Sequence, residues 1–178
     1  SINGLKLNWF LNLNQNIDLN LSNIFFGSKI IYHKEKIFVS NNNNFFILDN
    51  KSGSVIAKKN FSTLFKPLAI NNYIFLVSKN NFLILMNSNT GDIVYSYDLA
   101  EKVAKFTNSK KRKLEIKNLI FVNNQIFLFL KNSYLLKLDL KSEIQDIIRL
   151  PASLNSQPIF INDSLLFLDT KNKLFTLN

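Results

Sequence analysis

The sequence predicts an all-β fold assembled from repeated four-stranded antiparallel units, and three observations carry that prediction. Apolar runs of five or six residues, rich in Ile, Phe, Leu, Val and Tyr, recur along the 178 residues between turns of Asn, Ser and Gly. The runs come in a fixed order that repeats about every 40 residues, the period of stacked β-sheet arrays. No stretch sustains the i, i+3, i+4, i+7 apolar spacing of an amphipathic helix, and the chain has only five alanines.

The first copy reads Ile37-Phe38-Val39-Ser40, four asparagines, Phe45-Phe46-Ile47-Leu48-Asp49, then Asn50-Lys51-Ser52-Gly53 and Ser54-Val55-Ile56. The second reads Ile74-Phe75-Leu76-Val77-Ser78, Lys79-Asn80-Asn81, Phe82 to Met86, Asn87, then Ser88-Asn89-Thr90-Gly91 and Asp92-Ile93-Val94. The third runs from Ile126 to Leu130, through Lys131-Asn132-Ser133 and Tyr134 to Leu138, to Asp139 and Ile144, with Glu143 where the others have glycine. A fourth begins at Leu165 and ends at Leu177-Asn178. The equivalent positions Asp49, Asn87, Asp139 and Asn178 are 38, 52 and 39 residues apart, and an insert over 101–115 accounts for the long interval.

Within a copy the strands are short and close by hairpins. In the second, strands are expected over 66–70, 73–78, 82–87 and 92–98. Asn suits the positive-φ positions of the tight turns between them, and Gly91 suits them better. The Asp or Asn that ends a strand can accept from backbone amides two or three residues on, closing the next turn. These repeated acids therefore read as turn formers rather than as a catalytic array. The inner strands are apolar on both faces, which is the pattern of a sheet covered on both sides.

This block resembles the repeat of pyrroloquinoline-quinone-like (PQQ-like, quinoprotein-like) β-propellers. The resemblance rests on Phe46-Ile47-Leu48-Asp49-Asn50-Lys51-Ser52-Gly53-Ser54-Val55 and Leu85-Met86-Asn87-Ser88-Asn89-Thr90-Gly91-Asp92-Ile93. It implies one β-propeller domain over 1–178, with four four-stranded antiparallel blades near 29–61, 66–99, 114–150 and 156–178. A further strand over 5–13 and the basic insert complete the expected organisation. Two arrangements fit four blades: a small closed ring, with 5–13 pairing to the last blade, and a partial propeller that is a piece of a larger one. Blades of this family place a tryptophan four residues after the repeat glycine, where it docks one blade on the next. Here Ala57 and Tyr95 stand at those positions, Ile147 at the third, and the only tryptophan is Trp9.

Composition narrows the chemistry. The chain has no cysteine, which excludes disulfides, thiolate metal sites and a cysteine nucleophile. A single histidine, His33, excludes a multi-histidine metal site, and its setting in Tyr32-His33-Lys34-Glu35-Lys36 reads as a solvated turn. The four glycines stand apart, so there is no phosphate-binding loop. No run approaches the ~20 apolar residues of a membrane-spanning helix. Lys and Arg number 22 against 12 Asp and Glu, for a net charge of +10, but the cations are scattered except at Lys110, Lys111, Arg112 and Lys113. That cluster, on the insert, is the candidate partner-binding site, suited to an acidic protein surface or anionic headgroups. Nucleic acid is not expected, since aromatic side chains do not interleave with these cations.

The family contains quinoprotein dehydrogenases and a non-enzymatic lipoprotein of the bacterial outer-membrane β-barrel assembly machinery (the BamB type). The second kind is the nearer, because the enzymes' vicinal cysteine pair has no counterpart here. The resemblance thus implies a non-catalytic scaffold without a cofactor, binding protein partners of a membrane-associated assembly complex. The location it implies is the periplasm or the outer-membrane periphery, with peripheral membrane contact or a homodimer as further expectations. The alternatives are a degenerate or truncated PQQ-dependent dehydrogenase, which needs quinone and calcium, and a ligand- or glycan-binding propeller.

Overall fold

Continuous apolar runs such as Phe82 to Met86 cannot be satisfied by one sheet facing water, because successive side chains of a strand point to opposite faces. A computed structural model, which describes residues 6–13, 29–63 and 65–178, shows how both faces are covered. The described residues form 15 strands, one helix and four antiparallel sheets. The first sheet holds β1 (Ile31–His33), β2 (Lys36–Ser40), β3 (Phe45–Asp49) and β4 (Val55–Lys59), in that order. The second holds β5 (Leu68–Ile70), β6 (Tyr73–Val77), β7 (Phe82–Asn87) and β8 (Ile93–Asp98). Helix α1 (Leu99–Phe106) follows. The third sheet holds β9 (Ile116–Val122), β10 (Gln125–Leu130), β11 (Tyr134–Leu138) and β12 (Ile144–Arg149). The fourth has three strands rather than the four expected: β13 (Ile159–Ile161), β14 (Ser164–Leu168) and β15 (Leu174–Leu177).

The chain divides into two compact units, Ser1–Tyr97 and Asp98–Asn178. In the first, Phe38, Phe45 and Ile47 from one sheet pack with Ile74, Leu76 and Met86 from the next, all of them without solvent exposure. In the second, Phe127, Phe129 and Leu135 pack with Leu165 and Phe167. Each such side chain contributes about 1.5–3 kcal/mol when fully buried. The outer strands β4, β8 and β12 are mostly exposed, leaving Val55, Ile93, Val94 and Ile148 at the surface.

Hairpins connect the strands as the Asn-rich turns predict. Asn123-Asn124 and Asn162-Asp163 have positive φ at both central residues, the two-residue turn whose twist matches the strands it joins. Lys34-Glu35 adopts the same turn without the residues that favour it. Asp49 Oδ1 accepts from the amides of Lys51 and Ser52 at 3.0 and 2.7 Å, and Asn87 Oδ1 accepts from Asn89 at 2.8 Å.

The third turn corrects the alignment. Asp49 and Asn87 close on residues five positions ahead, Ser54 and Asp92, whereas Asp139 N–H donates to Glu143 O, four ahead. The turn is one residue shorter, so Glu143 stands in the place of Ser54, not of the glycine. Ser142 takes the positive φ, at 63°. Register then puts Asp146, paired with Lys137 beside a bulge, level with Ala57, paired with Ile47 beside the same bulge.

The strand expected over 5–13 is absent from the described residues 6–13. Trp9, Leu11 and Leu13 instead lie on the first sheet against Val39, Phe46 and Leu48. Side-chain hydrogen bonds anchor the segment: Trp9 Nε1–H donates to Asn50 O at 2.8 Å, and Asn41 Nδ2–H donates to Leu13 O at 2.8 Å. The segment's described ties are thus to the first sheet. Trp9 also explains Gly53, which has φ +71° and where a Cβ would come 2.5 Å from the indole. At Gly91 (φ +75°) a Cβ would overlap the Cβ of Ala57. Trp9 therefore stands to the first turn as Ala57 stands to the second, although it lies outside the repeat in sequence.

Replacing Gly91 with Ala is expected to cost about 1–3 kcal/mol through strained backbone and overpacking. Urea unfolding of Gly91→Ala and of the Gly91→Ala/Ala57→Gly pair separates the two: the second change should restore part of the loss, and no recovery would mean the sheets do not meet there.

Candidate functional site

The insert carrying the basic cluster is helical in its first half. The local signal is Asp98-Leu99-Ala100-Glu101: an N-cap acid, two apolar residues and an acid at the third helical position. Asp98 Oδ1 accepts from the amides of Ala100 and Glu101, at 2.9 and 3.2 Å. Leu99 and Ala100 are buried, while Glu101 and Lys105 pair one turn apart on the exposed face at 2.7 Å. The helix ends where Thr107 N–H and Oγ1–H both donate to Val103 O and Asn108 turns to φ 50°.

Contacts with the third sheet fix the helix in place. Lys102 Nζ donates to Ser142 O at 3.0 Å and pairs with Glu143 at 2.7 Å, so the shortened turn of β11–β12 serves as its anchor. Lys131 pairs with Glu115 at 3.1 Å, and Lys131 N–H donates to Glu115 O at 2.8 Å, tying down the far end of the insert. The Lys131 ammonium holds the Glu115 carboxyl below the usual carboxylate range, with a lesser contribution from Lys113.

The structure divides the four cations of the cluster. Lys111 turns back to the helix cap, its Nζ 2.5 Å from Asp98 Oδ2. That hydrogen bond, ahead of the two amides, holds the Asp98 carboxyl below its ordinary value of 3.8 and raises the Lys111 ammonium. Lys110, Arg112 and Lys113 instead border a recess of about 390 Å³ between α1 and the third sheet. Its floor is Leu130, Leu136 and Ile147, with Val103, Ala104 and Leu114 from the insert as walls. No acidic side chain lines it. A second recess of about 310 Å³, between β10–β12 and the fourth sheet, is bordered by charges of both signs, Lys137 and Asp163.

The remaining candidates of the sequence have structural duties. His33 closes β1, and its Nε2–H donates to Asn71 O at 2.9 Å. Asp139 accepts from Lys141 and Glu143 amides at 2.9 Å each, and Asp169 accepts from Lys171 and Lys173 amides at 2.8 Å. Among the described residues no group of three His, Cys, Asp or Glu side chains could hold a metal ion. Likewise, no helix among them is long and apolar enough to cross a membrane.

No protein-family profile and no curated protein matches the chain. Solved structures do. The chain is similar to BamB from Moraxella catarrhalis, with a TM-score of 0.66 at 11% identity over 84% of this chain. It has a β-propeller-type fold. The computationally designed proteins Ika8 and Ika4 are also similar, with TM-scores of 0.60 and 0.54 at 10% identity, over 83% and 84% of this chain. The chain spans 42% of the BamB chain and 44% of the Ika8 chain, but 91% of Ika4.

Because the Asp98 carboxyl is depressed, its contribution to stability is present above its ordinary value of 3.8 and is lost as pH falls through the lower folded value. Asp98→Ala should cost about 1 kcal/mol at pH 7, the usual worth of a helix cap. Urea titrations at pH 7 and in strong acid should show the difference between variant and parent shrinking in acid; an unchanged difference would contradict the assigned pairing.

Proposed function

We propose that this chain is a non-catalytic scaffold that holds protein partners, as the BamB-type outer-membrane assembly lipoprotein it resembles in its repeats is built to do. The observation that carries the reading is the likeness to BamB across 84% of the chain, coupled with a repeat whose acids serve the turns. In such a protein the sheets supply rigidity, and loops and outer strands supply contacts. The exposed apolar residues of β4, β8 and β12 and the basic insert are the features available for that use. A partner in a membrane-associated assembly, at the periplasm or outer-membrane periphery, is part of this reading, and cofactor chemistry is not.

Photo-crosslinking residues placed at exposed positions on β4, β8, β12 and the insert test it in cells. The expected result is protein adducts of defined size from a few of these positions and none from turns such as Lys34-Glu35. Quinone-dependent dye reduction by purified chain supplied with PQQ and calcium would overturn the reading in favour of a dehydrogenase.

A further inference from the structure

We infer that the recess between α1 and the third sheet takes a short acidic peptide segment of a protein partner, with a large apolar side chain on the floor and flanking carboxylates at the rim. The inference rests on the scaffold reading above and gives it a partner chemistry and a site.

Charge placement makes the first half of the argument. Four acids of the insert and its anchors are engaged by cations that do not line the recess, while Asp146, beside Ile147 on β12, accepts from the Ile147 amide and is not in its lining. Asp98 pairs with Lys111, Glu101 with Lys105, Glu143 with Lys102, and Glu115 with Lys131. Lys110, Arg112 and Lys113 enter no ion pair among the described residues, and Lys113 is only a lesser influence on the Glu115 carboxyl. Three cations thus border a recess with an apolar floor, polar groups at Thr107, Ser109, Asn132 and Tyr134, and no negative charge in its lining, and the low-dielectric floor strengthens their field there. Arg112 adds a planar fork that can grip a carboxylate through two parallel hydrogen bonds.

The second half is shape and anchoring. A recess of about 390 Å³ lies at the lower end of the range of about 300–1,000 Å³ for ligand pockets, enough for one or two side chains. Its rim is pinned on both sides, by Lys111 on Asp98 and by buried Leu114 next to the Glu115–Lys131 pair. The backbone that carries the three cations is thus tied at both ends, which limits the ordering that binding must impose on it. An acidic lipid surface is the poorer occupant. On the outer face of α1 Glu101 and Lys105 balance each other, and the three cations outside any ion pair border a concavity rather than a helix face.

Fluorescence anisotropy of a labelled ten-residue peptide with Leu-Phe flanked by two Asp-Glu pairs tests the proposal. Saturable binding that weakens with salt is expected, and it should fall on the order of tenfold with Arg112→Glu or Lys110→Glu. Lys141→Glu, an exposed site with the same charge change outside the recess, should leave it within about twofold. Ala104→Trp, which fills the recess and keeps its charges, should also weaken binding; thermal melting of each variant confirms that it is folded, and the exposed charge variants suffice if Ala104→Trp is not. Equal binding of a peptide with Lys replacing Asp and Glu, or equal losses with Lys141→Glu and Arg112→Glu, would overturn the proposal. So would no saturation of the acidic peptide below millimolar concentration. Sedimentation with anionic phosphatidylglycerol vesicles is the other arm: vesicle binding with no peptide binding would assign the cations to lipid instead. Failure here with crosslinks persisting on β4, β8 or β12 would leave the scaffold reading standing, whereas loss of both would remove it.

Discussion

The constraint on which the rest of the structure depends is the burial of both faces of the inner strands. In β6, Ile74 and Leu76 point to one face and Phe75 and Val77 to the other, and all four are buried. A single four-stranded sheet of this composition would leave one apolar face in water, so each sheet needs a neighbour before it is stable. The cluster joining Phe38, Phe45 and Ile47 to Ile74, Leu76 and Met86 is one such junction, and that joining Phe127 and Phe129 to Leu165 and Phe167 is another. The close approach of Ala57 to Gly91, and of Trp9 to Gly53, shows how tightly the turns are fitted into this packing. A side chain at either glycine would have to displace a neighbour.

Much of the fold is legible in the sequence because its determinants are local. A run of five apolar residues followed by Asn-Asn or Asp-x-x-Ser specifies strand and turn within ten residues, and repetition of the block multiplies the signal. What sequence reading missed depends on contacts made at a distance or on offsets of one residue. Trp9 lies outside the repeat, and only in space does it meet Gly53 as Ala57 meets Gly91. The segment 6–13 alternates like a strand, yet it is held by side chains on the first sheet rather than by a ladder. Glu143 aligned with a glycine because nothing in the sequence marks a turn shortened by one residue; Ser142 carries the positive φ instead. Helix α1 is different: Asp98 and Glu101 mark its start, and two of the five alanines fall within it. Its eight residues are too few to stand out against a chain read for β periodicity.

The site shows the same division. Four consecutive cations are visible in the sequence, but one-dimensional proximity does not say which are free. Lys111 is drawn to the helix cap by Asp98, while Lys110, Arg112 and Lys113 border the recess. The floor comes from Leu130, Leu136 and Ile147, which lie 17 to 34 residues beyond Lys113 and within strands that read only as core. The insert thus converts a regular repeat into a local surface with its own charge and shape. Leu99 and Ala100 of α1 and Leu114 of the insert are buried, while the cations from Lys110 to Lys113 stay exposed.

Amide hydrogen exchange followed by mass spectrometry tests the dependence on face-to-face burial most directly. The account predicts that β2, β3, β6, β7, β10 and β11 exchange slowest, at rates set by cooperative unfolding, while β4, β8, β12 and residues 107–113 exchange faster by local opening. Outer strands as protected as the inner ones, or inner strands that exchange sheet by sheet at unrelated rates within one unit, would contradict it.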